Sequence, residues 1–201
     1  MDAGPIISQQ SHTMASNDDD ATKILPLLFD IGTTQLLEKL PDILKGKITM
    51  EENVIIQNDD DIIEAPLIDS SEGELKVWQD SAITCHNKVR GFSMWPGTFM
   101  YFKIGNNLEG DDNDDDDDST IIKVKIAKSK VVDNLNDEIE NTGRIINLIK
   151  GKKRGLGVFC HDGSLLEILT LQPVTKNAMD AKSYVNGLRG KSIMWVEGLD
   201  E

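Results

Sequence analysis

The stretch "GLGVFCHDGSLLEILTLQ", residues 155–172, decides the fold of the second half of this chain. Two short apolar runs flank the sequence "HDGS", whose Asp162-Gly163 pair favours a tight hairpin of type I′. Both runs are shorter than typical helices and are bounded by turn residues, so we expect two paired strands. The pattern therefore predicts a β-hairpin inside a mainly β region.

Neighbouring segments extend this β region toward the N-terminus. Residues 120–127, "TIIKVKIA", alternate apolar and polar side chains, as a half-buried strand does. The aromatic stretch "MWPGTFMYF", residues 94–102, enters another strand after a Pro96-Gly97 turn, and we expect Trp95 beside that turn to lie in the core. "GRIINLI" is a further short strand. Many short strands at close spacing predict a small β-barrel.

Two short helices accompany the predicted strands. Residues 78–92, "WQDSAITCHNKVRGF", offer Asp80 or Ser81 as an N-cap in front of an apolar face. Residues 179–190, "MDAKSYVNGLRG", place Asp180 in the same capping position. The second of these segments predicts a short terminal helix after the last of the paired strands.

The first third of the chain has a different pattern. Residues 24–46, "ILPLLFDIGTTQLLEKLPDILKG", carry apolar side chains at helical spacing in two groups that Gly32 separates. This arrangement predicts two short helices. Residues 48–72 lack a strong period and are predicted to form an extended linker.

The net charge of −14 is unevenly distributed. Residues 1–71 carry 4 basic and 14 acidic side chains, and the tract "DDNDDDDD" at 111–118 adds seven Asp. Residues 119–201, in contrast, carry 13 basic and 10 acidic side chains. The acidic total therefore does not exclude a nucleic-acid partner for the C-terminal third. No apolar run approaches the roughly 18 residues of a membrane span, and no signal-peptide pattern is visible.

The sequence argues against a metal site. The Asp tract lacks the spaced ligands and the turning glycine of a calcium loop. Cys85-His86 and Cys160-His161 are adjacent pairs, whereas zinc ligands are usually separated by two or more residues. Two cysteines are also too few for a disulfide framework, which favours a reducing compartment. We therefore expect no bound metal, and we expect both cysteines to be small core residues.

The order of the motifs in the β region resembles that of a known family. "HNKVRGFSMWPGTFMYF" is followed by "GRIINLI" and then by "GVFCHDGSLLEILTLQPVTKNAMDAKSYVNGLRG". This succession is similar to the C-terminal domain of methionyl-tRNA formyltransferases over residues 76–190. Gly91 replaces the usual Ala, and Ser93-Met94 replaces the common Asn-Pro. The resemblance implies a mainly β, OB-like barrel with a short terminal helix.

The N-terminal segment resembles another part of the same enzymes. "MDAGPIISQQ" is similar to a stretch late in their catalytic domain, and "LLFDIGTTQLLEKLPDILKG" is similar to the helix pair that closes it. The resemblance implies that residues 1–47 are a remnant of an α/β, Rossmann-like formyltransferase domain and that 48–75 are a linker. It assigns 76–195 to the C-terminal β-barrel domain, with an Asp-rich loop insertion at 111–118. It also places Asp2 at the position of the family's catalytic Asp.

The resemblance implies a function in formylating initiator tRNA. The family transfers a formyl group from 10-formyltetrahydrofolate to the amino group of Met on that tRNA. The Asn and His that act with the catalytic Asp have no counterpart in this sequence, so we expect the chain alone to be inactive. The implied partner is initiator methionyl-tRNA. We expect this chain alone to hold no cofactor, and we expect it to be a monomer. A full-length product would lie in mitochondria or plastids.

Two alternatives stay open at this point. The chain could be a tRNA-binding module without catalysis, or a fragment of another folate-dependent formyltransferase. "LQPVTKNAM" and "VNGLRG" argue against the latter, since they fit the tRNA enzyme best.

Basic side chains are the candidate tRNA contacts. The Gly-flanked loop "KGKKRG" would present several cations to phosphates, and the segment that resembles the family's Val-Arg-Ala-Phe stretch adds two more. A solvated basic turn, or neutralisation of nearby acids, would explain the same residues. The candidates are Lys150, Lys152, Lys153, Arg154, Lys88 and Arg90.

Overall fold

The computed structural model describes residues 4–14, 19–58, 65–106, 119–132, 143–144, 147–149 and 155–198. The chain divides into two compact units, Met1–Ile68 and Asp69–Glu201. None of the described helices is both long enough and apolar enough to cross a bilayer.

One long helix, α1, dominates the first unit and runs from Ala21 to Leu44. Asp20 caps its N-terminus by accepting a hydrogen bond of 3.0 Å from the backbone N–H of Thr22. The prediction of two helices separated at Gly32 is wrong, because Gly32 lies inside α1. A glycine in a helix costs only about 1 kcal/mol relative to alanine, and it keeps its backbone hydrogen bond.

Backbone pairing links the segments on either side of α1. Ile6 and Ile55 form an isolated antiparallel bridge with hydrogen bonds of 2.8 and 2.9 Å. Gln57 Nε2 donates to the carbonyl of Gly4 over 2.6 Å. Part of the segment predicted to be an extended linker therefore pairs with the N-terminal stretch.

An antiparallel sheet forms most of the second unit. The strands are β1 (Thr98–Gly105), β2 (Thr120–Val132), β3 (Asn147–Ile149), β4 (Gly155–Phe159), β5 (Leu165–Pro173), β6 (Met179–Asp180) and β7 (Ser192–Val196). They follow the hydrogen-bonded order β3-β4-β5-β2-β1-β7, and β6 pairs with β5. The accompanying helices are α2 (Ala82–Gly91) and α3 (Ala181–Gly187).

The sheet curls around its core, so that its two ends approach each other. The backbone N–H of Trp195 in β7 donates to the carbonyl of Arg144, just before β3, over 3.0 Å. Fully buried Phe102, Val124 and Ile168 pack inside this half-barrel. The predicted mainly β class is confirmed. The short helix α3 is not terminal, however, because strand β7 follows it and pairs with β1.

Both short helices begin where the sequence predicts. Ser81 Oγ caps α2 by accepting from the backbone N–H of Thr84 over 3.2 Å. Asp180 caps α3 by accepting from the backbone N–H of Ser183 over 2.8 Å. The hydrogen bonds from Ser183 hold the pKa of the Asp180 carboxyl below its usual value.

The predicted β4–β5 hairpin is present, but its turn is not of type I′. The Gly163 N–H donates to the Cys160 carbonyl over 3.0 Å, and the Cys160 N–H donates to the Ser164 carbonyl over 2.8 Å. Gly163 has a φ of 80°, whereas Asp162 is not among the residues with positive φ. A type I′ turn needs positive φ at both central residues, so the connection is a three-residue loop with a bulge.

Trp95 is not a core residue, which corrects the expectation from the sequence. Its side chain is 59% exposed, because the turn that follows it buries Gly97 and Thr98 instead. The buried indole of the sheet is Trp195, which stacks on Trp78 with ring centroids 5.8 Å apart. Stacking of two large rings contributes to the core more than an exposed ring can.

Candidate nucleic-acid interface

Strand β2 presents a row of lysines on its outward face. Val124, Ile126 and Ser129 are buried, and the residues between them are exposed. The lysines of β2 change from odd-numbered to even-numbered positions after Ile126. The pairing of β2 with β5 shifts register on both sides of Lys128, and this irregularity keeps the later lysines on the same outward face as the earlier ones. The exposed lysines of this row, which we call the β2 lysine row, are Lys123, Lys125, Lys128 and Lys130.

Aromatic side chains on β1 lie beside this row. The antiparallel register pairs Phe99 with Lys125 and Tyr101 with Lys123. Lys123 Nζ is 3.7 Å from the centroid of the Phe99 ring and 5.8 Å from that of Tyr101. The two rings meet edge to face with centroids 5.7 Å apart. The attraction of an ammonium to an aromatic face holds these groups together as one surface.

A cleft of about 290 Å³ opens on this surface. Its lining includes Pro96 and Phe99, at the start of β1, and Pro173 and Val174, at the end of β5. These two strands lie on opposite sides of β2 in the sheet. Among the residues that the structure describes, those that line this cleft include two lysines of the β2 lysine row and no acidic side chain. We call it the Phe99 cleft. Its mixture of apolar and cationic groups suits a ligand that has both a flat apolar part and a negative charge.

A short 3-10 turn, Ser70–Gly73, carries Ser70 to the cleft. Asp69 accepts a hydrogen bond of 2.8 Å from the backbone N–H of Ser71, and hydrogen bonding from Ser71 lowers the pKa of the Asp69 carboxyl. Glu72 Oε1 in turn accepts from the backbone N–H of Asp69 over 2.7 Å. Both carboxylates are therefore used as caps of the turn.

Close backbone approach fixes the turn against the start of β1. A Cβ atom on Gly73 would lie 2.3 Å from the carbonyl oxygen of Gly97. Gly97 itself has a φ of 84°, and the Cε atom of Lys125 lies 2.6 Å from the position that a Cβ would take. Two glycines thus allow the turn, the strand and the Lys125 stem to pack beside the cleft.

The structure places the predicted Lys88 and Arg90 on α2. Lys88 Nζ donates to the carbonyl of Glu74 over 3.1 Å, and Arg90 Nη1 donates to Asn87 Oδ1 over 3.0 Å. Glu74 bridges to Phe99 of β1. Lys88 therefore supports the backbone that borders the cleft, and its role as a phosphate contact stays a prediction.

The other predicted site residues lie outside the described residues: Asp2, Lys150, Lys152, Lys153 and Arg154. The groups that the described structure brings together are instead Lys123, Lys125 and Phe99. All three were predicted to lie on strands, but none was predicted to contact tRNA. Their signal was the alternation of lysines with buried aliphatic residues in β2.

Three buried polar side chains of the described core, His86, Cys85 and Cys160, contact other core residues. His86 Nδ1 lies 3.0 Å from Ser129 Oγ, a distance found between a nucleophile and its base, but both residues are buried. This hydrogen bond ties α2 to β2. Cys85 and Cys160 are free and buried, as predicted, and their contact raises the pKa of the Cys160 thiol together with burial. Within the described parts of the chain, no cluster of three or more His, Cys, Asp or Glu could hold a metal.

Comparison with known proteins agrees with this architecture. Residues 67–189 match the protein family described as formyl transferase, C-terminal domain. A methionyl-tRNA formyltransferase of Lactococcus lactis subsp. cremoris (strain MG1363) is 32% identical over 191 residues, which are 95% of this chain and 52% of that protein. The enzymes of the same name from Methylococcus capsulatus and Enterococcus faecalis are 32% and 29% identical over 96% and 94% of this chain.

The match covers only part of each of these relatives. The chain spans about half of their length, 54% of the Methylococcus protein and 51% of the Enterococcus protein. The match to the family nevertheless covers most of the second unit, including α2, α3 and the sheet between them. The chain therefore belongs to the formyl transferase C-terminal domain family and resembles the C-terminal half of methionyl-tRNA formyltransferases.

Proposed function

We propose that this chain supplies the tRNA-binding part of a methionyl-tRNA formyltransferase, and that its second unit is an OB-like barrel. The observation that carries the proposal is the β2 lysine row beside Phe99 and Tyr101. Strand faces of OB-folds bind oligonucleotides, and lysines that neutralise phosphates supply most of the affinity. The partner we propose is initiator methionyl-tRNA, bound by a monomer of this protein.

The basic residues predicted from the sequence belong to the same proposal. Lys88 and Arg90 on α2, together with the loop that carries Lys150, Lys152, Lys153 and Arg154, would add phosphate contacts to those of the β2 lysine row. Contacts of this kind position a nucleic acid without selecting its sequence. Replacing Lys152 and Arg154 by Glu should therefore weaken binding of all tRNAs alike.

Formyl transfer is a property that we propose for the complete enzyme, not for this chain alone. The reaction passes through a tetrahedral oxyanion, which needs hydrogen-bond donors and a base for the amine proton. By resemblance, Asp2 is the catalytic Asp of a remnant formyltransferase domain in residues 1–47, and its Asn and His partners are missing from the sequence. The co-substrate of the complete enzyme would be 10-formyltetrahydrofolate.

We further propose that the complete protein acts in a mitochondrion or plastid. The loops rich in Asp and Asn, such as 111–118, are typical of insertions in eukaryotic proteins, and formylation of initiator tRNA belongs to such organelles in eukaryotes. Cell fractionation with an antibody against this chain tests the location. Recovery of the protein in the cytosol alone would contradict it.

Salt-dependent binding of initiator tRNA tests the tRNA proposal. Fluorescence anisotropy should show binding by the full chain whose affinity falls steeply with salt. Replacing both Lys123 and Lys125 by Gln removes two phosphate contacts and should reduce the slope of log K against log salt by about 2. The matched control replaces the exposed Lys182 and Lys191 by Gln, which changes the net charge equally.

The control variant should keep the affinity and the slope of the unmodified chain. Equal weakening by both double replacements would mean that tRNA responds only to total charge. Absence of binding even at low salt would refute the tRNA proposal.

A further inference from the structure

We propose that the Phe99 cleft binds one unpaired nucleotide of an RNA, with the base between its apolar sides and the phosphate on Lys123 and Lys125. This inference rests on the proposed function and goes beyond it, because phosphate contacts alone would accept a duplex equally well. It assigns the cleft a ligand class, single-stranded RNA, and a stacking residue, Phe99.

The apolar sides of the cleft fit a flat ring. Phe99 is half-buried and contributes its aromatic ring, while Pro96, Pro173 and Val174 supply rigid or aliphatic surface around it. The ammonium of the exposed Lys123 lies over one face of this ring, so a base that stacks there displaces the ammonium toward the phosphate. A volume of about 290 Å³ lies at the low end of the range for small-molecule sites, which suits one nucleotide better than a larger ligand. Stacking on aromatic side chains is how proteins commonly hold unpaired bases.

The charges of the cleft fit a phosphate. Lys123 and Lys125 lie on the same outward face of β2, and the register sets Lys125 between Phe99 on β1 and Gln172 on β5. The ammonium of Lys125 is 3.3 Å from the position of a Cβ on Gly97, so the cation lies at the side of the cleft rather than away from it. The described lining residues include these two lysines and no acidic group, which gives this part of the surface a charge complementary to RNA.

The far side of the cleft is held in an unusual backbone conformation. Thr175 has a φ of 67°, which is uncommon for a β-branched residue. The N–H of Lys176 donates to the Pro173 carbonyl over 3.1 Å, and Gln172 Nε2 donates to the Lys176 carbonyl over 2.9 Å. These bonds fix the loop that carries Val174 and orient the Gln172 amide, which could then hydrogen-bond the edge of a base.

The test compares a single-stranded RNA octamer with a duplex of equal length and with an acidic peptide of equal charge. Each is measured by fluorescence anisotropy against the full chain. The inference predicts that the single strand binds about tenfold more tightly than the duplex. Comparable binding of the duplex or of the peptide would overturn the inference and leave a general polyanion surface.

Two variants locate the binding within the cleft. Phe99→Leu keeps an apolar side chain but removes the ring, and it should weaken the single strand about tenfold while the duplex is little changed. Phe99→Tyr keeps an aromatic ring and should therefore bind the single strand about as tightly as the unmodified chain does. Val174→Asp adds a carboxylate to the lining at a residue that is 59% exposed, so the fold should tolerate it. This change should also weaken the single strand, and Ile83→Asp, at an exposed position on α2, is its matched control.

The failure of this inference and the failure of the proposed function are distinguishable. If initiator tRNA binds in a salt-dependent manner but Phe99→Leu and Val174→Asp bind the single strand normally, only the nucleotide site is refuted. If neither tRNA nor the octamer binds at low salt, the tRNA proposal fails as well. Unchanged circular dichroism of each variant shows that a loss of binding is not a loss of fold.

Discussion

At the scale of single residues, two glycines determine how the Phe99 cleft is built. Gly73 lets the 3-10 turn approach the carbonyl of Gly97, and Gly97 adopts a positive φ beneath the stem of Lys125. The sequence indicated a turn at Pro96-Gly97 but gave no sign of this contact, because Gly73 is distant in the chain. Trp95 was misjudged for the same reason, since burial of a turn side chain depends on tertiary packing.

Gly97→Ala should destabilise the second unit. The left-handed conformation costs an alanine about 1–2 kcal/mol, and the new methyl group would also displace Lys125. Urea unfolding measures the loss, and tRNA binding by the same variant should weaken because the cation moves. Gly91→Ala is the matched control, since nothing lies within 4 Å of its Cβ position and its φ is not positive. An equal loss in both variants would contradict this account of Gly97.

Glu167 should make stability depend on pH. Burial raises the pKa of this carboxyl from its usual value of 4.5, against the opposing attraction of Lys130. The folded state therefore binds the proton more tightly than the unfolded state, so stability falls as pH rises from 4.5 through the raised folded pKa. Glu167→Gln should be more stable than the unmodified chain at pH 7, with the difference shrinking toward pH 4.

Urea unfolding at several pH values checks the Glu167 prediction, with the exposed Glu38→Gln as the control. The control should show no comparable gain at pH 7. A gain for Glu167→Gln that is equal at pH 4 and pH 7 would show that packing, and not ionisation, sets the effect.

At the scale of secondary-structure elements, local signals located most helices and strands. Ser81 and Asp180 cap the short helices as their residue types predict, and the β4–β5 hairpin follows its Asp-Gly signal. The pairing of β1 with β2 could not be predicted from local capping and turn signals. Their connection includes the Asp-rich tract, and a loop of that length does not set a strand register as a two-residue turn does. The juxtaposition of Phe99 and Lys125 was therefore not predictable.

In helix α1 a local sequence signal was misleading, because Gly32 was predicted to separate two helices and instead lies inside one. Gly32 lowers helix propensity but has no positive φ, and nothing lies within 4 Å of its Cβ position. Gly32→Ala should consequently raise the helicity and stability of α1, by up to about 1 kcal/mol. Circular dichroism during thermal unfolding measures the change. A destabilised variant would indicate that the helix breaks at this residue.

At the scale of the whole molecule, the order of the motifs identified the family and the mainly β class, while composition alone would have misled. The net charge of −14 indicates an acidic protein, yet the β2 lysine row forms a basic surface within it. Only the fold reveals which lysines share a face. Residues 150–154 and Asp2, which the resemblance singled out, lie outside the described residues, and their roles remain proposals.

The central claim is that initiator tRNA covers the outward face of β1 and β2. Acetylation of lysines with and without saturating tRNA, read by mass spectrometry, tests it residue by residue. We predict that tRNA slows modification of Lys123, Lys125 and other members of the β2 lysine row, while Lys182 and Lys191 react at unchanged rates. Equal reactivity of the β2 lysine row with and without bound tRNA would contradict the claim.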